Sequence, residues 1–113
     1  MTIRRLDKPE WRPFFDALSK LIEAQVAEVE VASLNLGDQT QAEWLPLFGI
    51  TYDPHDDVLE VALEGVDHMI RKPREIYLDD AAGGLTSFEV VDADGVRQIV
   101  KLKDRLMLPA PQA

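Results

Sequence analysis

Apolar positions near the N-terminus repeat with the spacing of an amphipathic helix. Asp7 and Glu10 have the spacing of a helix-capping box, and Leu6 and Trp11 lie where a hydrophobic staple would close over the first turn. This pattern predicts a helix that begins after Asp7. Its apolar stripe, which we expect to pack against a sheet as part of the core, consists of Trp11, Phe14, Phe15, Leu18, Leu21 and Ile22.

After Gln25 the helical period gives way to an alternation of apolar and polar residues. Val29 and Val31 share one face of this segment and Glu28 and Glu30 share the other, as in a half-buried strand. Similar runs predict further strands at 43–52, 58–64, 75–78, 85–91 and 96–102. Turn residues separate these runs at 37–38, 53–57, 81–84 and 92–95. Residues 65–73 break the pattern, and we expect a connection there that holds at most one helical turn.

One helix followed by a succession of short strands predicts an α+β fold. Strands joined by short turns favour an antiparallel meander. We therefore expect the N-terminal helix to pack on a twisted antiparallel meander sheet, or on a small barrel, of about six strands. No internal repeat or linker interrupts the chain, so we expect one domain over residues 1–113 with a frayed tail at 108–113.

Composition narrows the class of protein. The chain has 113 residues and no cysteine, which removes disulfides, thiolate metal sites and cysteine nucleophiles together. It has no apolar run of the roughly 18 to 20 residues that a membrane span needs, and its N-terminus lacks the apolar stretch of a signal peptide. We expect a cytoplasmic protein with no membrane association. A formal net charge of −9 repels a phosphate backbone, which argues against general nucleic-acid binding.

The positive charge of this acidic chain is concentrated in two segments. No Lys or Arg occurs from residue 21 to residue 70, and then Arg71, Lys72 and Arg74 follow within four positions. His68 lies three residues before Arg71, so the four side chains would converge on a carboxylate or phosphate if the segment formed a helical turn. The alternative is a polar connection whose charges pair with nearby carboxylates. If the protein has a ligand, we expect it at His68, Arg71, Lys72 and Arg74.

The second basic segment follows the strand pattern. Arg97, Lys101 and Lys103 alternate with apolar or neutral residues, as do Glu28 and Glu30 on their own strand. Opposite charges on neighbouring strands stabilise a sheet by a few tenths of a kcal/mol each. We therefore interpret this segment as the counter-charge to acidic strands.

The remaining candidate motifs favour turns over chemistry. Residues 53–57 contain three carboxylates and His55, but no second histidine has metal-ligand spacing, and Asp and Pro are ordinary turn residues. Residues 92–95 resemble part of a calcium loop, yet the matching register would put Val90 and Lys101 at ligand positions. No serine lies in a nucleophile elbow, and the single glycine pair lacks phosphate-loop spacing. We expect no catalytic residue, no metal and no cofactor.

Four segments carry a resemblance to a known family. They are LDKPEWRPFF (6–15), EWLPL (43–47), GITYDP (49–54) and KPREI (72–76). Together they resemble a family of small bacterial proteins that is catalogued as a domain of unknown function, and the likeness covers almost the whole chain. The resemblance implies a bacterial, cytoplasmic protein and supplies no activity or ligand.

Three functional hypotheses follow. The first is a non-enzymatic binding or protein-interaction module that recognises a protein partner or a small anion, with a homodimer as one form. The second is a small acid–base enzyme that uses His68 or His55. The third is nucleic-acid binding, which the charge disfavours.

Overall fold

The computed structural model describes residues 3–33, 37–80 and 83–107. These ranges contain one helix and eight strands. In chain order they are β1 (Ile3–Leu6), α1 (Lys8–Leu21), β2 (Val26–Ser33), β3 (Gly37–Asp53), β4 (Val58–Leu63), β5 (Val66–Arg71), β6 (Pro73–Asp79), β7 (Gly84–Asp92) and β8 (Arg97–Met107).

All eight strands form one antiparallel sheet in the order β1-β6-β7-β8-β2-β3-β4-β5. The runs β2 to β5 and β6 to β8 are each a meander, and pairing of β8 with β2 joins them. The predicted helix on an antiparallel meander is thus confirmed. The predicted number of about six strands is wrong, and so is the closed barrel, because β1 and β5 are free edges of an open sheet.

The open sheet is strongly curled. Strands β5 and β8 are four places apart in the sheet order, which would separate them by about 19 Å if the sheet were flat. Instead, Nε2 of His68 on β5 hydrogen-bonds Oε1 of Gln98 on β8. Bulges in β3, such as the register shift between Leu47 and Gly49, increase the local twist and allow this curvature. The curl brings β5 and the ends of β7 and β8 to the same part of the molecule.

Helix α1 lies against the curled sheet and supplies the centre of the core. Trp11, Phe15 and Leu18 are buried, and the Phe15 ring lies 5.2 Å from that of Phe88 on β7. The indole N–H of Trp11 donates to the backbone oxygen of Leu6 at 2.8 Å, so the ring is buried with its polar atom satisfied. The predicted apolar stripe is confirmed at these positions. It is wrong at Leu21, the last residue of α1, which is 39% exposed.

A hydroxyl also ties the helix to β3. Ser19 Oγ donates to the oxygen of Ile50 at 2.8 Å and accepts from the Ile50 N–H at 2.9 Å. These two bonds, together with the buried stripe, fix α1 on the sheet.

Helix α1 begins directly after Asp7, as the sequence predicts, but the backbone of Asp7 and not its side chain makes the hydrogen bond to the first turn. Asp7 precedes α1, and its backbone oxygen accepts the Glu10 N–H at 2.8 Å. The Asp7 side chain makes no capping bond, so the predicted capping box does not form.

Several local predictions differ from the structure. Residues 65–73 hold strand β5 and no helical turn, and β1 was not predicted. The turn expected at 37–38 is instead the start of β3, which runs on to Asp53. The predicted turn at 81–84 lies partly, and the predicted frayed tail at 108–113 wholly, outside the described residues. No helix within the described ranges is long and apolar enough to cross a membrane.

Candidate functional site

The corner between β5 and β6 consists of one residue, Lys72. Its φ angle of +52° lies in the left-handed region, which costs a non-glycine residue about 1 kcal/mol or more. Its N–H donates to the oxygen of Asp57 at 2.8 Å, and its oxygen accepts the Ala93 N–H at 2.9 Å. The corner is therefore pinned on one side to the β3–β4 turn and on the other to the β7–β8 turn.

A surface groove of about 640 Å³ opens at this corner. We call it the corner groove. Lys72 lines it from the corner, and Pro73 and Arg74 line it from the start of β6. The other lining residues come from α1 and from the two turns that hold the corner. The full lining is Lys8, Asp56, Asp57, Lys72, Pro73, Arg74 and Ala93.

The cations of the corner groove are not used in ion pairs. Among the described residues, no carboxylate lies within 4.0 Å of the side-chain nitrogens of Lys72 or Arg74. Lys8 makes a cation–π contact, with Nζ 5.7 Å from the centre of the Trp11 ring, and no ion pair in the same ranges. The ion pairs that the alternative interpretation of this basic segment expected are thus not seen for Lys72 and Arg74 within the described ranges.

The second basic segment behaves differently. Arg97 lies 3.1 Å from a carboxylate oxygen of Glu89, and Lys101 lies 3.3 Å from Glu30 and 3.8 Å from Glu28. These are cross-strand pairs between β8 and its two neighbours, as the alternation of charges predicts for Arg97 and Lys101. Lys103, which was predicted to act in the same way, makes no ion pair among the described residues. Lys72 and Arg74 therefore differ from Arg97 and Lys101, because they line a groove and have no ion-pair partner among the described residues.

Two carboxylates share the corner groove with the cations. Asp57 is engaged, because Oδ1 accepts a 2.7 Å hydrogen bond from the hydroxyl of Tyr52. Burial raises the pKa of Tyr52 to about 12, and the bond to Asp57 adds to the increase. The phenol therefore stays protonated and keeps donating in neutral solution, which holds the Asp57 side chain against the sheet.

The four predicted ligand residues do not form one cluster. Lys72 and Arg74 share the corner groove, as expected. Arg71 points to the outer face of β5 and lines a separate groove with Met69 and Glu60. His68 points to the inner face of the curled sheet. The predicted convergence of His68 and Arg71 required a helical turn, and in a strand residues three apart lie on opposite faces.

His68 belongs to a polar link inside the curl. The Gln98 side chain, which is 7% exposed, bonds His68 through Oε1 and donates through Nε2 to Asp92 Oδ2 at 3.2 Å. Asp92 Oδ1 in turn accepts the N–H groups of Asp94 and Val96 at 2.9 and 3.0 Å. This link satisfies a buried amide and connects β5 to the β7–β8 turn that borders the corner groove.

The described part of the chain offers little for metal or acid–base chemistry. It holds no group of three or more metal-ligating side chains. His55 lies on the β3–β4 turn with 93% of its side chain exposed, and its Nε2 is 4.0 Å from Asp56. Neither histidine lines the corner groove. Nothing in these positions favours a catalytic role for either residue.

Sequence reasoning missed Lys8 as a lining residue. It lies 64 positions before Lys72 in the numbering, and only the packing of α1 on the sheet brings the two together. No local signal in the sequence marks it. The two turns were recognised as turns, but their place at the corner depends on the curl of the sheet.

Comparison with known proteins identifies the family. The model of a family of unknown function, DUF5335, matches residues 2–111. The chain belongs to this family. An uncharacterized protein of Aquifex aeolicus (strain VF5) is 41% identical over 110 residues, which are 96% of this chain and 99% of that relative. No solved structure matches the DUF5335 chain. The resemblance seen in the sequence, to a family of small uncharacterised bacterial proteins, is confirmed.

Proposed function

We propose that this DUF5335 protein is a non-enzymatic binding module that takes a small anion, bearing carboxylate or phosphate groups, in the corner groove. The observation that carries the proposal is the set of cations there without ion-pair partners among the described residues. In a chain of net charge −9, cations at a concave site would ordinarily be neutralised by the surrounding carboxylates.

The backbone at Lys72 supports the same proposal. A glycine would occupy a φ of +52° without strain, whereas this corner carries a lysine. Both backbone groups of Lys72 are hydrogen-bonded to the flanking turns, so its Cα is held in place. A lysine side chain at a strained, pinned position is consistent with a binding role for that side chain.

The charge of the rest of the chain limits the size of the ligand. The corner groove has three cations and two carboxylates, and one of those carboxylates is engaged by Tyr52. The chain as a whole has a formal net charge of −9, which would repel a long polyanion that extends beyond the groove. The proposal therefore concerns a small molecule and not a nucleic acid.

Charge reversal at the corner tests the proposal. We expect Lys72→Glu with Arg74→Glu to weaken binding of citrate and of inorganic phosphate at least about tenfold, because two cations that contact the anion become repulsive. Isothermal titration calorimetry at low ionic strength measures the effect, and the two probes distinguish carboxylate from phosphate recognition.

The matched control is Lys20→Glu with Lys103→Glu. Both lysines are exposed, lie outside the corner groove and have no ion-pair partner among the described residues. This variant changes the net charge by the same amount as the corner variant. Equal weakening in the two variants would mean that only the overall charge matters, and absence of binding by the unaltered protein would remove the proposal.

A further inference from the structure

The outer edge of β5 is an unpaired strand edge. Strand β5 lies at the end of the sheet order and pairs with β4 alone. We propose that β5 pairs antiparallel with β5 of a second copy of this chain, about a two-fold axis at Met69. This interface is separate from the corner groove and does not depend on the function proposed for it.

The ladder with β4 determines which backbone groups point outward. Leu63 and Val66 close a two-residue hairpin and therefore form a hydrogen-bonded pair. The Lys72 N–H bond to Asp57 continues the same alternation at the other end of the ladder. The backbone groups of 66, 68 and 70 thus face β4, and those of 67, 69 and 71 face away from it. Within the described ranges, no oxygen accepts a hydrogen bond from the N–H groups of residues 67, 69 and 71.

Only registers that place outward-facing residues opposite each other can form hydrogen bonds. With Met69 opposite Met69 of the second copy, Asp67 comes opposite Arg71 and Arg71 comes opposite Asp67. All three outward-facing residues of each strand are then paired. Shifting the register by two residues in either direction leaves one outward-facing residue of each strand without a partner.

The same register is complementary in charge. Asp67 and Arg71 are exposed on the outer face of β5, and neither has an ion-pair partner among the described residues. Opposite charges that face each other across antiparallel strands are stabilising, and the two-fold axis produces this pair twice. Met69 is 43% exposed between them and would contact its counterpart. Backbone hydrogen bonds supply affinity in such strand additions, and the side chains select the register.

The other free edge is built to avoid self-pairing. Strand β1 has four residues and carries Arg4 and Arg5 at its centre. Any antiparallel self-pairing that matches outward-facing residues and pairs more than one residue of this strand with its own copy places an arginine opposite an arginine, which is destabilising. The edge of β5 is longer and lacks this protection.

Analytical ultracentrifugation over a concentration series tests the dimer. One strand pair buries less area than the roughly 1,200 Å² of a stable interface, so we expect a dimer that dissociates on dilution. Asp67→Arg alone and Arg71→Asp alone should each weaken self-association at least about tenfold, since each turns two attractive pairs into repulsive ones. The double variant Asp67→Arg with Arg71→Asp should restore it, because the pairs form again in the opposite sense.

Mixing the two single variants provides a sharper test. The Asp67→Arg chain has two arginines on the edge and the Arg71→Asp chain has two aspartates, so the equimolar mixture should associate although neither variant does alone. Asp94→Arg and Lys103→Asp are the matched controls, because they make the same charge changes at exposed positions outside β5 and should leave self-association unchanged.

Hydrogen exchange locates the interface. The amides of 67, 69 and 71 should exchange more slowly at high protein concentration than at low concentration, whereas those of 68 and 70 should be protected at both. A protein that stays monomeric at every concentration overturns the proposal. So does a dimer that both single variants leave intact, or a mixture of the single variants that fails to associate.

Discussion

Replacing Phe15 with alanine is expected to lower the free energy of unfolding by about 3 to 5 kcal/mol. Phe15 has no exposed surface, and its ring lies 5.2 Å from those of both Phe14 and Phe88. Because Phe14 belongs to α1 and Phe88 to β7, the ring joins the helix to the sheet. Truncation leaves a cavity that neither element can collapse into, since Ser19 and Ile50 hold α1 at a fixed distance from β3.

Urea unfolding followed by circular dichroism measures this loss. The control is Phe48→Ala, which removes the same group from a side chain that is 64% exposed on β3. We expect the control to change the free energy of unfolding by less than about 0.5 kcal/mol. Equal losses in the two variants would show that Phe15 does not occupy the centre of the core.

Replacing Asp92 with alanine is expected to lower the free energy of unfolding by about 3 kcal/mol. Its carboxylate accepts the N–H groups of Asp94 and Val96 and the side-chain amide of Gln98. Alanine leaves all three donors without this acceptor. One of these donors, the side-chain amide of Gln98, belongs to a buried residue. Hydrogen bonds to charged acceptors contribute more than neutral ones, and a buried donor left unpaired adds a desolvation cost.

The variant Asp92→Asn distinguishes the hydrogen bonds within the β7–β8 turn from the hydrogen bond to the buried Gln98 side chain. Asp92→Asn keeps an oxygen that can accept from Asp94 and Val96, so we expect it to lose less than half as much stability as the alanine variant in the same urea experiment. Asp94→Ala is the matched control, because the Asp94 side chain is exposed and accepts none of these bonds. If alanine at 92 were no more costly than alanine at 94, the link from β5 to the β7–β8 turn would contribute nothing to stability.

The elements that the sequence predicted well have a strong periodic signal of their own. Helix α1 combines a stripe of large apolar residues with a starting residue at Asp7, and the hairpin of β3 and β4 brackets an Asp-rich turn. Their patterns are set by burial on one face, which is a local property of the sequence.

The two missed strands lack that signal. Three of the four residues of β1 are exposed, and its pairing with β6 joins segments about 70 positions apart. Strand β5 has His68 on its inner face and charged residues on its outer face, and Gly65 and Pro73 flank it like the ends of a loop. Their strand conformation comes from pairing with neighbours, which residue pattern alone does not reveal.

The candidate site was predictable only where its residues lie close together in the chain. Lys72 and Arg74 are separated in the chain by Pro73 alone, so their clustering needed no knowledge of the fold. Arg71 and His68 were placed with them on the assumption of a helical turn, and the period of a strand separates them instead. Lys8 joins the corner groove only through the packing of α1, which no local pattern encodes.

The most direct test of the corner groove is a two-dimensional NMR titration of the unaltered protein with citrate at low ionic strength. We expect saturable shift changes concentrated at the backbone amides of Lys8, Lys72, Arg74 and Ala93, with little change at Lys20 and Lys103 on other parts of the surface. Small, non-saturating shifts spread over every lysine and arginine would contradict the account, because they would show that the cations at the corner bind anions no better than cations elsewhere.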